Sequence, residues 1–134
     1  MRTRWPLIAP AAAVLTALAG AAVAHHSFTA TYFEDRQTEI EGKLLQFLFR
    51  NPHSFVHVEA PDENGTMQRW AVEWGGAGQL SGQGVTNQTL RVGDVVTIKG
   101  NPGRGPADHR LRMQYLRRPA DGFEWGRNPG ETFN

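Results

Sequence analysis

Apolar and polar positions alternate in short runs along most of this chain, and the runs end at glycine, proline or asparagine. That is the pattern of half-buried strands joined by turns. "TEIEGKLLQFLFR", Thr38 to Arg50, predicts a first strand with Gly42 as its bulge or bend. Asn51-Pro52 interrupts it, because proline cannot donate to a ladder, and "HSFVHVEA", His53 to Ala60, predicts a second. "PDENGT" centres a hairpin turn on Asn64-Gly65, and Met67 to Trp74 predicts a third strand. Ala77 to Ser81 has room for one short helical turn between glycines. After a turn at Gly93-Asp94, Val95 to Gly100 predicts a fourth strand, and "NPGRGPAD" is loop. A fifth, His109 to Leu116, places Leu111, Met113 and Tyr115 on one face and Arg110, Arg112 and Gln114 on the other. The tail from Pro119 to Asn134 has no persistent period, though Phe123, Trp125 and Phe133 offer anchors for it.

Three strands, a short helical connector and two more strands give the element order of an OB-fold. The expected fold is therefore all-β, a small five-stranded OB-fold-like antiparallel barrel with a short helical connector. An antiparallel sandwich would use the same strands. The barrel is assigned to residues 25–118, with 119–134 as an irregular tail.

Residues 1–24 read differently. Arg2 and Arg4 precede an apolar stretch from Leu7 to Ala19, and Ala22-Val23-Ala24 closes it with small residues. This is the layout of a secretory signal peptide cleaved after Ala24, which predicts a periplasmic or secreted protein beginning at His25. The apolar stretch is shorter than the ~20 residues of a spanning helix, so no stable membrane span is expected after cleavage. The whole chain carries a formal charge of +1, and without Arg2 and Arg4 it holds 12 basic against 13 acidic residues. Such a balance speaks against nucleic acid as a partner. There is no cysteine, which removes disulfides, thiolate metal sites and thiol catalysis together.

The segments "HHSF", "EGKL", "RNPHS", "WAVE", "LRVGDVVTIKG" and "NPGRGP" follow one another in this order. In that succession the chain resembles a family of small exported bacterial proteins, domain of unknown function 6152, over nearly all of the stretch after Ala24. His25, His26, Asn51, Pro52 and His53 carry its motifs. The resemblance implies periplasmic export and a small β-barrel and brings no reaction with it; His57 lies outside the motif.

Chemistry-bearing residues are few, and the histidines come first. His53 and His57 are four apart on one strand face, roughly 13 Å at 3.3 Å per residue, so they cannot share a metal ion. His25 is different: cleavage would put a free α-amine beside its own imidazole, two nitrogens able to close a chelate ring. His26 or His53 would complete an all-nitrogen site, which suits Cu(II) first and Zn(II) or Ni(II) after it. The plain alternative is a mobile His-His terminus, with His53 capping the Asn-Pro turn.

Phe55 shares the face of His53 and His57, and Trp70 and Trp74 on the next strand extend a possible aromatic platform for a sugar, peptide or other envelope ligand. Large aromatics equally build cores. No nucleophilic triad, Walker lysine or carboxylate pair stands out, so the expectation is a binding protein and not an enzyme. Its two versions are a histidine transition-metal site at His25, His26 and His53, or a ligand face at Phe55, His57, Trp70 and Trp74. The oligomeric state stays open.

Overall fold

A computed structural model describes residues 28–128. The chain divides into two compact units, Met1–Thr31 and Tyr32–Asn134. In the first, residues 28–31 are helical; the fold below belongs to the second.

Six strands occur among the described residues: β1 (Thr38–Leu48), β2 (Phe55–Pro61), β3 (Met67–Glu73), β4 (Val95–Pro102), β5 (Arg110–Arg118) and β6 (Phe123–Gly126). A short helix, α1 (Ala77–Ser81), joins β3 to β4. Neighbours run in the order β3-β2-β1-β4-β5-β6, and β3 also pairs with β5, in parallel, so the first five strands close on themselves. Antiparallel β1–β2, β2–β3, β1–β4 and β4–β5 ladders with one parallel closure make the five-stranded OB barrel that the element order predicts. Among the described residues no helix is long and apolar enough to cross a membrane.

Alternation decides what lies inside. Val56, Val58 and Ala60 of β2, Val72 of β3, Val96 and Ile98 of β4 and Leu111 of β5 are wholly enclosed, and the residues that alternate with them point outward. In β1 the alternation changes phase. Ile40 and Leu44 face the core before a register shift between Leu44 and Gln46, and Phe47 and Phe49 pack against the core after it. The bulge therefore sits at Leu45, not at Gly42. Gly42 answers to a different demand: a Cβ there would strike the Glu59 carbonyl and lie 2.8 Å from Ala60 Cβ. β1 and β2 approach too closely at that point for any side chain.

Two further corrections concern extent. β4 continues through Asn101 and Pro102, and β5 reaches Arg118. The tail also holds a strand: β6 pairs with Tyr115–Arg118 of β5. The reason is an unfilled edge. β3 covers β5 only at Arg110–Arg112, so the rest of that edge would leave backbone groups unpaired without β6. Phe123 and Trp125 of β6 then pack on the core.

The β1–β2 loop and α1 are tied together. Asn51 Oδ1 accepts from the Gly78 backbone N–H at 3.2 Å, and the Arg50 carbonyl accepts from Ala77 N–H at 3.0 Å. The Asn51-Pro52 bond is cis and lies so close to Gly76 that a Cβ there would meet the Pro52 carbonyl at 2.6 Å. Leu80 of α1 is fully buried.

Candidate ligand-binding face

The outward face of β2 and β3 is laid out in cross-strand rows, because residues opposite one another point the same way. One row runs Gln46, His57, Ala71, Arg110 across β1, β2, β3 and β5. The next runs Leu48, Phe55, Glu73, Arg112. Ala71 is the smallest side chain in the first row and stands between two large ones. The result is an open depression of about 510 Å³, walled by Leu48, Phe55, His57 and Arg110, with Arg50 from the β1–β2 loop and Asp108 from the β4–β5 loop at its rim.

Charge and aromatic character are combined here. The Phe55 and His57 rings stack at 6.5 Å with 19° between their planes, and the Arg50 guanidinium lies 5.5 Å from the Phe55 centroid. His57 Nδ1 is buried and has no hydrogen-bond partner among the described residues. Partial burial, then the charges of Arg69 and Arg50, hold the His57 pKa below its ordinary value of 6.5, so the ring is neutral at pH 7. The Asp108 carboxylate folds back onto its own loop, against Gly105.

Beside this depression lies a polar cluster around Glu73. Tyr32 donates its hydroxyl to Glu73 Oε2 at 2.5 Å, and Arg110 Nη2 lies 3.6 Å from the same oxygen and 3.4 Å from the Tyr32 hydroxyl. On the other side His53 Nδ1 stands 3.3 Å from Glu73 Oε1. Tyr32 is 1% exposed; burial first, and the Glu73 charge and hydrogen bond after it, push its pKa above the tyrosine range and keep it a donor.

The expected site residues fall in three places. Phe55 and His57 are half-buried on the outward face, where a ligand can reach them. Trp70 and Trp74 do not join them: at 8% and 3% exposure they belong to the core, because Trp70 and Val72 alternate inward and Trp74 closes the barrel end against Phe47 and Trp125. An aromatic platform built on these two tryptophans is thereby corrected. His25 and His26 lie outside the described residues. His53 is paired with Glu73, and no group of three His, Asp or Glu able to hold a metal ion exists among the described residues. Tyr32, Arg50, Ala71, Glu73 and Arg110 were not singled out by the sequence. "WAVE" marked Glu73's neighbourhood, but its partners come from elements far along the chain.

Among solved structures, the mitochondrial single-stranded DNA-binding protein Rim1 of S. cerevisiae matches with a TM-score of 0.46 and 11% identity, over 63% of this chain and 94% of that one. The fold assignment rests on strand order and closure instead. No curated protein matches the sequence. A family profile matches residues 12–112, well over half of the chain. With the barrel and its motif-bearing loop in place, the chain belongs to the family of unknown function DUF6152.

Proposed function

We propose that this protein is an exported, non-enzymatic binding module of the cell envelope, and that its ligand face is the outward surface of β2 and β3 between the β1–β2 and β4–β5 loops. The observation that carries this is the depression over Ala71: it lies on the part of an OB barrel where ligands are held, and both flanking loops contribute side chains to its rim. Screening small neutral and charged fragments by amide chemical-shift mapping tests it. Hits are expected to cluster on Phe55, His57 and Ala71 and to lose about tenfold in affinity in Phe55→Ala, as expected for one stacked aromatic. Hits confined to the groove lined by Phe33, Arg36 and Arg104, on the other side of the β4–β5 loop, would refute the assignment.

A second reading keeps the metal site, favoured by the His53–Glu73 pairing. A carboxylate against Nδ1 fixes the imidazole and directs Nε2 toward a metal. With signal cleavage after Ala24, the His25 amine and ring would supply two nitrogens and His53 a third, His26 ligating or positioning the arm, with Cu(II) preferred over Zn(II) or Ni(II). Protein processed by its own signal peptide, verified by intact mass, should bind Cu(II) one-to-one in calorimetry. One additional N-terminal alanine or His53→Ala should weaken binding at least tenfold. Equal affinity in all three forms would rule the site out.

A further inference from the structure

We propose that the depression over Ala71 takes a small organic oxyanion, a carboxylate or phosphate, whose apolar body lies on Phe55 and Leu48 while its charged end meets Arg50, Arg110 and His57. The inference rests on β2 and β3 forming the ligand face and adds the chemical class of the ligand.

The row geometry sets the size. His57 and Arg110 flank Ala71 on adjacent strands, about 10 Å apart in backbone at ordinary strand spacing, and the methyl between them leaves the floor open. The charges set the sign. Two guanidiniums face the space, and the single carboxylate at its rim, Asp108, is turned back on Gly105. Arg110 is held by Glu73 and Tyr32 through Nη2 alone, one corner of a fork with five donors. Arg50 contacts the loop only through Nε, 3.4 Å from the His53 carbonyl, while its carbon lies over Phe55. A cation entering here would meet two guanidiniums, of which only Arg110 has a carboxylate partner, Glu73. An oxyanion offsets the Arg50 charge and can accept from the donors that both guanidiniums leave free.

One consequence is specific to an anion. The charged groups on this face around His57 are Glu59 of its own strand, Arg69 and Glu73 of β3, Arg110 of β5, and Arg50 and Asp108 of the flanking loops, with Gln46 and Ala71 opposite it. Partial burial, then Arg69 and Arg50, favour the neutral ring in the free protein. A bound anion reverses the local field, so His57 takes up a proton on binding. Affinity should then rise as pH falls from 8 toward 5.5.

The test titrates the full protein with benzoate, phenyl phosphate and the neutral isostere benzamide, following the His57 ring and the β2–β3 amides by NMR. Benzoate or phenyl phosphate should saturate with shifts at Phe55, His57 and Ala71, move the His57 titration to higher pH, and bind at least tenfold more tightly than benzamide. The tighter of the two anions identifies the headgroup. Arg50→Gln should lose three- to tenfold, and Ala71→Leu, which fills the floor from the solvent side, should abolish binding while leaving the amide spectrum of the core in place. Benzamide binding as tightly as the anions, or anions leaving the His57 titration unmoved, overturns the anion assignment while fragment hits on this face would keep the binding-face reading. Anions that saturate only at Phe33, Arg36 and Arg104 overturn both.

Discussion

Trp74→Ala is expected to lower the stability of the domain by roughly 3–5 kcal/mol, the range for deleting a large enclosed aromatic. The side chain is 3% exposed, its ring meets Trp125 edge-on at 5.0 Å and Phe47 at 5.8 Å, and its backbone N–H donates to the Ser54 carbonyl at 2.8 Å. It therefore joins β1, the end of β3 and β6 at one point. A domain of this size has only about 5–15 kcal/mol in all, so much of the margin disappears. Trp74→Phe should cost far less, about 1–2 kcal/mol, for a reason visible at Nε1. That atom is buried without a partner among the described residues, so removing it relieves a desolvation penalty as some packing is lost. Urea denaturation at pH 7 measures both. A ligand-platform tryptophan would behave in the opposite way, losing fragment binding with the midpoint unchanged.

That contrast also shows where the sequence was legible. Strand existence, the turns and α1 follow from period-two alternation and glycine or proline punctuation, which are local, and Ala77–Ser81 is helical as its spacing predicts. Which face turns inward is not local. Val56, Val58 and Ala60 on one side of β2 and Phe55 and His57 on the other are both partly apolar, and only closure of β3 onto β5 decides between them. Trp74 is ambiguous in the same way, at the end of a strand and beside glycines. The phase change in β1 depends on a bulge that no glycine marks, at Leu45. β6 has four residues and no period; it exists because β5 has a free edge, which is known only once the barrel has closed. The site follows the same rule. Nothing in the identity of Ala71 announces a depression until the register puts His57 and Arg110 on either side of it. Tyr32 and Glu73, 41 residues apart, meet only through the fold.

Glu73→Ala is expected to cost about 2 kcal/mol, most of it from groups left behind. Glu73 is 12% exposed in its side chain and serves Tyr32, Arg110 and His53 together. Its loss strands the enclosed Tyr32 hydroxyl and removes the acceptor that holds Arg110. Because Arg110 and His53 are themselves 37% and 42% exposed, water takes over part of their share, which keeps the figure below that of a fully buried pair. Glu73→Gln retains an acceptor for Tyr32 and should fall between. Tyr32→Phe removes the stranded group, so the double variant Tyr32→Phe/Glu73→Ala should be more stable than the sum of the single losses, by about 1 kcal/mol of coupling. Alkali supplies an independent sign. The Tyr32 pKa is raised on folding, so the unfolded chain releases that proton first, and the folded state loses stability as pH climbs above about 10, the ordinary tyrosine value. Burial is the larger cause and Glu73 a lesser one, so Glu73→Ala should keep the decline and bring the ionisation of the folded-state Tyr32 to lower pH. Urea midpoints at pH 7 and pH 11 read the stability effects and tyrosinate absorbance of the folded protein reads the ionisation, and a Tyr32 ionisation at the same pH in Glu73→Ala as in the wild type would mean that Glu73 does not act on Tyr32.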